Sequence, residues 1–389
     1  MIMNYLENRK QYVQLNTNRS QILLTGDKSV SQGSVASGLL YLIYTLDIPH
    51  QSHKLKHSNH REYSSCKNTL MNTYVDDCYS VLTTKKNNIW KKIKNYIITM
   101  NNYYTNNRLQ MNVKKTNVMV ISNDKIDLEN SIEVNGNNIK HVNIIKVLGN
   151  TFNCNLNWNS HINEGRGSLV FQLKQRLNSL KVIANKVILN FSKQLANAIL
   201  ISKLNYNIEV WGDTSLSNLN KIDKIMLNAA KLVLGNKCLG RTNKWIMDNM
   251  KWTKTKEKYE NAMTNSIYKT INSKNYHYFK NYLTSNRNVR QISQNKVGHH
   301  DQSMGHHIFT QRTFLYKSIN LYNGLPRNLT LIKKTNLFKK WSKRYYLDKN
   351  TILKNQEDNV EIIIQPSLNQ VELDRCFDEE EIQYENDQV

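Results

Sequence analysis

Apolar residues alternate with polar ones in several short runs before residue 155, and they recur at helical spacing over most of the remaining chain. The alternating runs predict a strand pair over 12–25, a strand–turn–strand unit over 70–83, a strand at 117–122 and a further strand over 142–152. Within 132–140, the step Asn135-Gly136 favours a hairpin turn. The segment 33–48 begins with small residues, continues with apolar residues at helical spacing and ends near Pro49, which predicts a helix.

Further helices are predicted by the same periodicity over 88–107, 168–188, 192–209 and 217–234. The first of these has one apolar face, formed by Ile89, Trp90, Ile93, Tyr96, Ile97, Met100 and Tyr104. The second has a leucine-rich core face with basic residues between its members: Lys174, Arg176, Lys181 and Lys186. A mixed region followed by a helical one predicts an α+β protein.

Charge is distributed very unevenly along the chain. Residues 357–389 hold eleven acids and one base, Arg375, whereas residues 1–356 hold 53 bases and 19 acids and therefore carry a net charge of +34. A body that basic favours a polyanionic partner, most simply nucleic acid. The alternative is that an AT-rich coding sequence has enriched the chain in lysine and asparagine without a function. The acidic end is predicted to be a mobile tail.

Cysteine usage and hydropathy bound the class of protein further. No apolar run of eighteen or more residues is present, and the start, "MIMNYLENRKQYVQ", lacks the apolar core of a secretory signal. The cysteines are odd in number, scattered and without a CxxC pair: Cys66, Cys78, Cys154, Cys238 and Cys376. This pattern predicts a reduced intracellular protein, in the cytoplasm or the nucleus.

The stretch "TYVDDCYS" (73–80) places two adjacent carboxylates, Asp76 and Asp77, at the predicted turn between two strands. Buried acids without partners are costly, so acids inside an apolar run call for an explanation. Mg²⁺ binds one or two carboxylates together with substrate phosphates, and pairs of such ions catalyse phosphoryl transfer. A lone Asp-Asp pair is more often a solvated turn, and its sequence context therefore decides how it is interpreted.

The context resembles the reverse transcriptase domain of non-LTR (LINE-type) retrotransposons. Tyr74-Val75-Asp76-Asp77 is similar to the Tyr-x-Asp-Asp box of that family, and "SQGSVASGLLYLIYTLDIP" (31–49) to its Gln-Gly-Ser segment. Downstream, "RLQMNVKKTNVMVIS" (108–122) resembles the Leu-x-x-Asn…Lys-Thr segment, and "IIKVLGNTF" (144–152) the primer-contacting strand. The segments "LNWNSHINE" (156–164), "LISKLNYNIEVWG" (200–212) and "YNGLP" (322–326) with "LFKKWSKRYYL" (337–347) are similar to later parts of the family.

This resemblance implies a right-hand polymerase and a role for each matched residue. Asp76 and Asp77 would be catalytic ligands of Mg²⁺ or Mn²⁺, and Lys115 would stabilise charge or donate a proton near the triphosphate. The nucleotide and template side would be lined by Gln32, Gly33, Ser34, Tyr74 and Asn112. The implied partners are an RNA template, a DNA primer and deoxynucleoside triphosphates.

The implied layout is a partial palm with a ferredoxin-like antiparallel sheet (1–155), a helical thumb-like region (156–240), a basic helical C-terminal region (241–356) and the acidic tail (357–389). The third catalytic aspartate of the family lies on an earlier strand; Asp27 does not match it, and no fingers or upstream endonuclease is recognised. We therefore expect a truncated RNA-directed DNA polymerase that is inactive alone. The alternative is a non-catalytic nucleic-acid-binding remnant. A group II intron maturase or telomerase-like polymerase is disfavoured by the C-terminal segments.

Histidine clusters raise the alternative of a zinc site. One cluster lies in a polar segment, and its members are His50, His53, His57 and His60, with Cys66 beyond; the other comprises His299, His300, His306 and His307. Zinc sites pair ligands across a fold, so solvated loops are the simpler interpretation of both. Trp158 and Trp211 are predicted to pack in cores rather than stack on bases.

Overall fold

The structure is a computed structural model of the chain, and it describes residues 10–24, 34–48, 69–122, 126, 131–134, 136–184, 186–272, 283–285, 297–299 and 314–357. The chain divides into two compact units. The first comprises residues 1–145 and 153–156, and the second comprises residues 146–152 and 157–389.

The first unit begins with two nested strand pairs and a helix. The outer pair is antiparallel and joins β1 (Lys10–Gln11) to β4 (Leu23–Leu24). The inner pair, also antiparallel, joins β2 (Gln14–Leu15) to β3 (Asn18–Arg19), which confirms the strand pair predicted over 12–25. The helix predicted over 33–48 is also present, as α1 (Val35–Tyr44).

A hairpin, a long helix and a three-stranded sheet complete the regular structure that is described for this unit. Strands β5 (Thr69–Tyr74) and β6 (Asp77–Leu82) form the hairpin, and a short 3₁₀ turn leads into α2 (Ile89–Asn106). The sheet has the order β7-β9-β8, with β7 parallel to β9 and β8 antiparallel to it. Its strands are β7 (Asn117–Val118), β8 (Ser131–Val134) and β9 (Asn137–His141).

Helix α2 separates two small apolar clusters of the first unit. On one side Ile93 and Ile97 pack with Ile132, Val134 and Ile139 of the sheet. The other cluster contains three more side chains of the same helix and one beyond α1: Tyr96, Met100, Tyr103 and Ile48. The predicted helix is therefore confirmed, although Tyr103 is more deeply buried than Tyr104.

The segment 142–152 differs from its prediction as a single strand ending at Gly149. It forms the hairpin of β10 (Ile144–Val147) and β11 (Asn150–Asn153). Leu148 and Gly149 form the turn, with φ of 45° and 84°. Two positive φ angles in succession are the requirement of a type I′ hairpin turn, and glycine satisfies it at the second position. The leucine conceals this turn in the sequence.

The second unit is mainly helical in the residues described. Its first part contains α3 (Asn159–Ile162), α4 (Leu169–Ala184), α5 (Leu189–Ala196), a π-helical turn (Asn197–Ile201), α6 (Ser202–Asn205), α7 (Ile208–Trp211) and α8 (Leu216–Leu234). Its later part contains α9 (Asn243–Asn249), α10 (Thr255–Asn272), the strand pair β12 (Leu283–Ser285) and β13 (Val297–His299), α11 (Phe314–Asn323), α12 (Arg327–Thr330) and α13 (Thr335–Glu357).

The predicted helix 192–209 is interrupted twice in the structure. The π-helical turn changes the hydrogen-bond pattern after Ala196, and Asn207 then adopts φ of 51° between α6 and α7. The predicted helices 168–188 and 217–234 are confirmed with small shifts at their ends. Periodicity alone did not reveal the breaks because the apolar spacing continues across them.

One large apolar cluster fills the first part of the second unit. It contains the leucine face of α4, as predicted, with members Leu169, Leu173, Leu177, Leu180 and Ala184. Trp211 is fully buried in this cluster and Trp158 packs against it, which confirms their predicted core positions. In a second cluster, the rings of Tyr268 in α10 and Phe338 in α13 stack at 3.8 Å.

The described residues thus form a mixed helix-and-sheet protein, in agreement with the predicted α+β class. Their strands form separate sheets of two or three strands, and the ferredoxin-like palm sheet stays a prediction. These strands are short, so each buries little apolar surface by itself. The division into palm, thumb and C-terminal region stays a prediction, and residues 358–389 of the predicted tail lie outside the described residues.

Candidate functional site

The two adjacent aspartates lie at the tip of the β5–β6 hairpin. The strand pairing ends with Tyr74 opposite Asp77, so Val75 and Asp76 form a two-residue turn. Val75 has φ of 54°, in the left-handed region that β-branched residues rarely enter. Backbone strain of this kind costs about 1–3 kcal/mol and concentrates at functional sites. The local preferences of the turn residues do not explain this conformation, so packing around the hairpin must maintain it.

Both carboxylates at the tip are exposed, and Asp77 accepts a hydrogen bond from the Tyr79 hydroxyl at 3.0 Å. Neither Asp76 nor Asp77 forms an ion pair within the part of the chain that the structure describes. Exposed carboxylate oxygens without a protein cation are suitable ligands for Mg²⁺ or Mn²⁺. The donor set therefore fits one hard divalent cation whose remaining ligands are water or phosphate oxygens.

Tyrosine side chains of α2 support the hairpin. The Tyr104 hydroxyl donates to the Cys78 sulfur at 3.0 Å, and the hydroxyls of Tyr96 and Ser80 lie 2.6 Å apart. Burial raises the pKa of the Cys78 thiol, the Tyr104 hydrogen bond opposes this, and the nearby carboxylates raise it again. The thiol next to Asp77 is therefore protonated at neutral pH, so it adds no negative charge beside the aspartates.

Helix α1 lies near the same hairpin. Burial raises the pKa of Tyr41 in α1, and electrostatic interaction with the nearby Cys78 and Asp76 side chains raises it further. The C-terminal end of α1 is held by two hydrogen bonds: Tyr44 donates to the Asn107 carbonyl at 2.5 Å, and Tyr103 donates to the Asp47 carboxylate. Polar contacts at one end thus position α1, in which no residue is fully buried.

Ser34 occupies the N-cap position of α1 with φ of −73° and ψ of 140°, and its side chain forms no capping hydrogen bond. Its backbone carbonyl accepts from the Ser37 amide at 3.2 Å. Gln32 and Gly33, the other predicted members of the small-residue loop, lie outside the described residues. Their role on the nucleotide and template side stays a prediction, as does that of Ser34.

Asn112 and Lys115 form a compact turn of their own. The Asn112 carbonyl accepts from the amides of Lys115 and Thr116 at 3.1 and 3.0 Å, and its side-chain oxygen accepts from the Lys115 amide at 3.3 Å. The Thr116 hydroxyl donates to the same carbonyl at 2.9 Å. Asn112 thus has a clear local role, which is to hold the turn that presents the exposed side chain of Lys115.

The structure brings Tyr74, Asp76 and Asp77 together at the hairpin tip, where Tyr74 is 60% exposed. The supporting side chains Tyr41, Cys78 and Tyr104 were not among the predicted site residues. Helical periodicity did place Tyr104 on the apolar face of α2, which was a usable signal. No comparable signal exists for Tyr41, because its proximity to the hairpin depends on how α1 is positioned in three dimensions.

The zinc hypothesis gains no support from the described residues. His50, His53, His57, His60 and Cys66 lie outside them, as do His300, His306 and His307 of the second cluster. Among the residues that the structure does describe, no group of three or more histidine, cysteine or carboxylate side chains could hold a metal ion. Asp76 and Asp77, a pair from one turn, fall below that number.

In the second unit, the segment 200–212, which resembles a later part of the family, forms hydrogen bonds to the Leu148-Gly149 turn. The Tyr206 hydroxyl donates to the Leu148 carbonyl at 2.9 Å, and the Asn207 side-chain amide donates to the same oxygen at 3.4 Å. A Cβ at Gly149 would lie 3.0 Å from the Tyr206 ring, so a larger residue would crowd it. The segments 144–152 and 200–212, which resemble separate parts of one family, are thus joined by hydrogen bonds.

Comparison with known proteins finds two similar polymerases of mobile elements. The chain is 26% identical over 264 residues to the RNA-directed DNA polymerase from the mobile element jockey of Drosophila melanogaster, which covers 67% of the chain. This similarity supports the resemblance to non-LTR reverse transcriptases. The corresponding protein of Drosophila funebris is 25% identical over 238 residues, or 60% of the chain. The resemblance carried by the motifs is confirmed.

The chain spans about a quarter of the length of the jockey proteins, 27% and 25% respectively. No family model matches the chain, and no solved structure matches it. Within the residues described, no helix is both long and apolar enough to cross a membrane. The relationship therefore rests on the two jockey proteins and on the motifs that occur in the family order.

Proposed function

We propose that this chain is part of an RNA-directed DNA polymerase of a non-LTR mobile element, related to the jockey proteins. The observation that carries the proposal is the hairpin, in which Asp76 and Asp77 lie at the tip between paired strands and are exposed to solvent. The similarity of the chain to proteins named as RNA-directed DNA polymerases supports the same reaction class. Its substrates would be an RNA template, a DNA primer and deoxynucleoside triphosphates, and it would act inside the cell.

In this proposal Asp76 and Asp77 hold Mg²⁺ or Mn²⁺. Two-metal phosphoryl transfer uses such ions to activate the attacking hydroxyl and to stabilise the leaving oxygen, and this pair of carboxylates would hold one of them. The Tyr79 hydroxyl orients the Asp77 carboxylate through its hydrogen bond. The Tyr104 hydroxyl donates to the Cys78 sulfur and so supports the strand that begins at Asp77.

Lys115 would neutralise negative charge on the triphosphate or donate a proton to pyrophosphate. A positioned cation is what a transferring phosphoryl group needs as charge develops on its oxygens. The turn held by Asn112 presents this lysine with its side chain exposed. Tyr74, Ser34, Gln32 and Gly33 would line the nucleotide and template side.

We expect little or no synthesis from the 389-residue chain alone. The hairpin provides two carboxylates from a single turn, and hard cations bind weakly to so few protein ligands. Primer extension on an RNA template with Mg²⁺ measures this directly. Strong synthesis that disappears in Asp76→Asn, but persists in Asp248→Asn at an exposed position of the second unit, would show that the chain is active by itself.

The second candidate is a non-catalytic nucleic-acid-binding remnant, which the same two-carboxylate donor set favours. Binding of Mn²⁺, followed by water-proton relaxation, separates the two candidates without any need for activity. The polymerase proposal expects the Asp76→Asn, Asp77→Asn variant to lose a Mn²⁺ site that the Asp248→Asn variant retains. Equal Mn²⁺ binding by all three proteins would contradict the metal-binding role and favour the remnant.

The acidic segment 357–389 would compete with nucleic acid for the basic body of the chain. Removing it should therefore raise the affinity for an RNA–DNA duplex and change its salt dependence. Unchanged affinity and unchanged salt dependence after removal would contradict this role.

A further inference from the structure

Three cationic residues of the second unit lie on α6 and on elements that surround it. The Lys203 ammonium lies 5.7 Å from the centroid of the Tyr206 ring. That ring also contacts the Leu148-Gly149 turn, two residues beyond Lys146 in β10. Arg176 in α4 reaches the same region, because its guanidinium donates to the Ile199 carbonyl at 2.7 Å, in the π-helical turn that leads into α6.

The electrostatics of the region agree with this placement. Burial lowers the pKa of Lys203, and the positive charges of Arg176 and Lys146 lower it further. Burial together with Lys203 and Lys146 lowers the pKa of the neighbouring His161 to about 4. Ion pairs described in the structure join other residues, Lys317 to Asp213 and Arg344 to Asp348, so none of them balances this cluster.

Irregular backbone flanks the short helix that carries Lys203. The π-helical turn and the left-handed Asn207 on either side of α6 fix the direction of that short helix and hence of Lys203. Tyr206 and Asn207 donate hydrogen bonds to the Leu148 carbonyl in the turn between β10 and β11. The His161 ring accepts a hydrogen bond from the Thr151 amide of β11 at 3.3 Å. π-Helical turns recur at functional sites. Several elements thus bring like charges together instead of separating them.

The three cations differ in their exposure, which indicates what they can bind. Lys203 and Arg176 are partly buried and Lys146 is exposed, so the cluster is open to solvent on one side. One hydrogen bond to Ile199 leaves Arg176 with further N–H donors. Clustered donors with uncompensated positive charge match the oxygens of a phosphate group. The open side suits a phosphate that belongs to a longer chain.

We propose that Lys146, Arg176 and Lys203 together form a binding site for one phosphodiester group of a nucleic-acid duplex. The proposal rests on the proposed function, since it assumes that the chain binds nucleic acid. It joins the β10–β11 hairpin to α4 and α6 through one ligand phosphate. Bound phosphate would offset the mutual repulsion of the three cations, so duplex binding and the stability of this region would be linked.

The test uses the full chain and a short fluorescein-labelled RNA–DNA duplex, with binding followed by fluorescence anisotropy at several salt concentrations. Lys146→Gln combined with Lys203→Gln should weaken binding roughly tenfold and reduce the slope of log K against log salt by about 1, since the cluster neutralises one phosphate and each neutralised phosphate contributes about 0.9. The control, Lys224→Gln with Lys237→Gln, removes two exposed lysines of the same unit and should change the slope by less than about 0.5.

Folding and charge are checked separately. The combined Lys146→Arg, Lys203→Arg variant retains both charges and should retain the slope of the unaltered chain. Without nucleic acid at low salt, the glutamine variant should unfold at a temperature equal to or above that of the unaltered chain, because it removes repulsion. A glutamine variant with an unchanged slope would overturn the site, provided that the unaltered chain binds the duplex.

Further outcomes distinguish failure of the phosphate site from failure of the proposed function. If inorganic pyrophosphate raises the unfolding temperature of the unaltered chain but not of the glutamine variant, and both proteins bind the duplex with equal affinity and salt slope, the cluster binds free phosphates rather than the duplex backbone, and the proposal is wrong. If the unaltered chain binds no duplex at all, both the proposed function and this site are overturned. Undiminished binding by the glutamine variant would overturn the site alone and leave the proposed function standing.

Discussion

Helix α1 in the first unit and helix α8 in the second show two different ways of holding an amphipathic helix. No side chain of α1 is fully buried; Val35 is completely exposed and Leu39 is 62% exposed. Helix α8 buries a whole face, including Ile222, Ala229 and Ala230. Tertiary packing supplies most of the stability of a helix in a protein. Polar contacts at one end of α1 replace that packing in the first unit.

This difference bears on function because the carboxylate hairpin belongs to the unit with the smaller apolar clusters. Segments with few buried apolar contacts open locally at lower free energy than a large core does. The phosphate site proposed for the second unit is instead built on elements that pack against a large cluster. We therefore expect substitutions to have different consequences in the two units, from core truncation, with the largest effect, to the hairpin turn, with the smallest.

The largest effect should come from truncating a core leucine of the second unit. Leu173→Ala removes a fully buried side chain of α4 and should cost about 2–5 kcal/mol of stability, through lost burial and the cavity left behind. In the first unit, Leu39→Ala should change stability by less than about 0.5 kcal/mol because its side chain is already exposed. Hydrogen exchange, measured on peptides of each unit, reports both values.

Leu239→Ala is the matched control in the second unit, since Leu239 is 73% exposed. It should leave exchange there unchanged. A cost of Leu39→Ala similar to that of Leu173→Ala would show that the apolar face of α1 is covered in solution, and the contrast between the two units would fail.

The same glycine-to-alanine change should have opposite signs in the two units. A Cβ at Gly212 would lie 2.4 Å from the Tyr259 ring and 2.6 Å from the Ile208 carbonyl, so Gly212→Ala should destabilise by about 1–3 kcal/mol. Gly38 in α1 has no neighbouring atom within 4 Å of the position that a Cβ would occupy, so Gly38→Ala should stabilise by about 0.5–1 kcal/mol. Chemical denaturation of both variants, read against the unaltered chain, distinguishes these signs.

The pH dependence of stability should be specific to the second unit. The pKa of His161 is lowered to about 4, so between pH 4 and its ordinary value near 6.5 the unfolded chain binds a proton that the folded chain does not. Stability from this group is complete above pH 6.5 and is lost as the pH falls toward 4, by about 1 kcal/mol after allowance for solvent screening. Thermal unfolding across this range measures the loss.

His161→Gln provides the comparison for that measurement. It should remove this part of the pH dependence while leaving other titrating groups in place. A His161→Gln variant whose stability still falls by the same amount between pH 6.5 and 4 would contradict the assignment to His161.

The smallest effect is expected at the hairpin tip. Val75→Asn places a residue that tolerates φ of 54° at the strained position and should stabilise the hairpin by about 0.5–1 kcal/mol. The control is Val81→Asn in β6, an exposed valine with ordinary strand geometry, which should be neutral or slightly destabilising. Hydrogen exchange of the β5–β6 amides compares the two. Equal effects of both substitutions would show that Val75 carries no strain.

Sequence patterns predicted most elements of the fold but not their interruptions. The β5–β6 hairpin, α1, α2, α4 and α8 follow from period-2 and helical spacing, and all are present. The Leu148-Gly149 turn was missed because a leucine at positive φ breaks the usual turn composition. The breaks around α6 were missed because apolar spacing continues through them.

The candidate site was predictable only in part, for a similar reason. Asp76 and Asp77 are adjacent in sequence, so one motif places both at one tip. Asn112 was predicted to contact the nucleotide or template, and the structure adds a local role in holding the Lys115 turn, which follows from hydrogen bonds within five residues. Arg176 looked like one more cation of a basic helical face, yet it bonds the Ile199 carbonyl 23 positions away.

The sequence by itself determined the resemblance to non-LTR reverse transcriptases, the α+β class, the hairpin with its two carboxylates and the uneven charge along the chain. These properties depend on residue types at short separations, where periodicity and turn chemistry act. Only the tertiary structure decided that Tyr104 donates to Cys78, that Tyr206 donates to the Leu148 carbonyl, and that Arg176 donates to the Ile199 carbonyl. Each of these contacts joins residues far apart in the chain, and packing selects such pairs through shape and charge that no local pattern encodes.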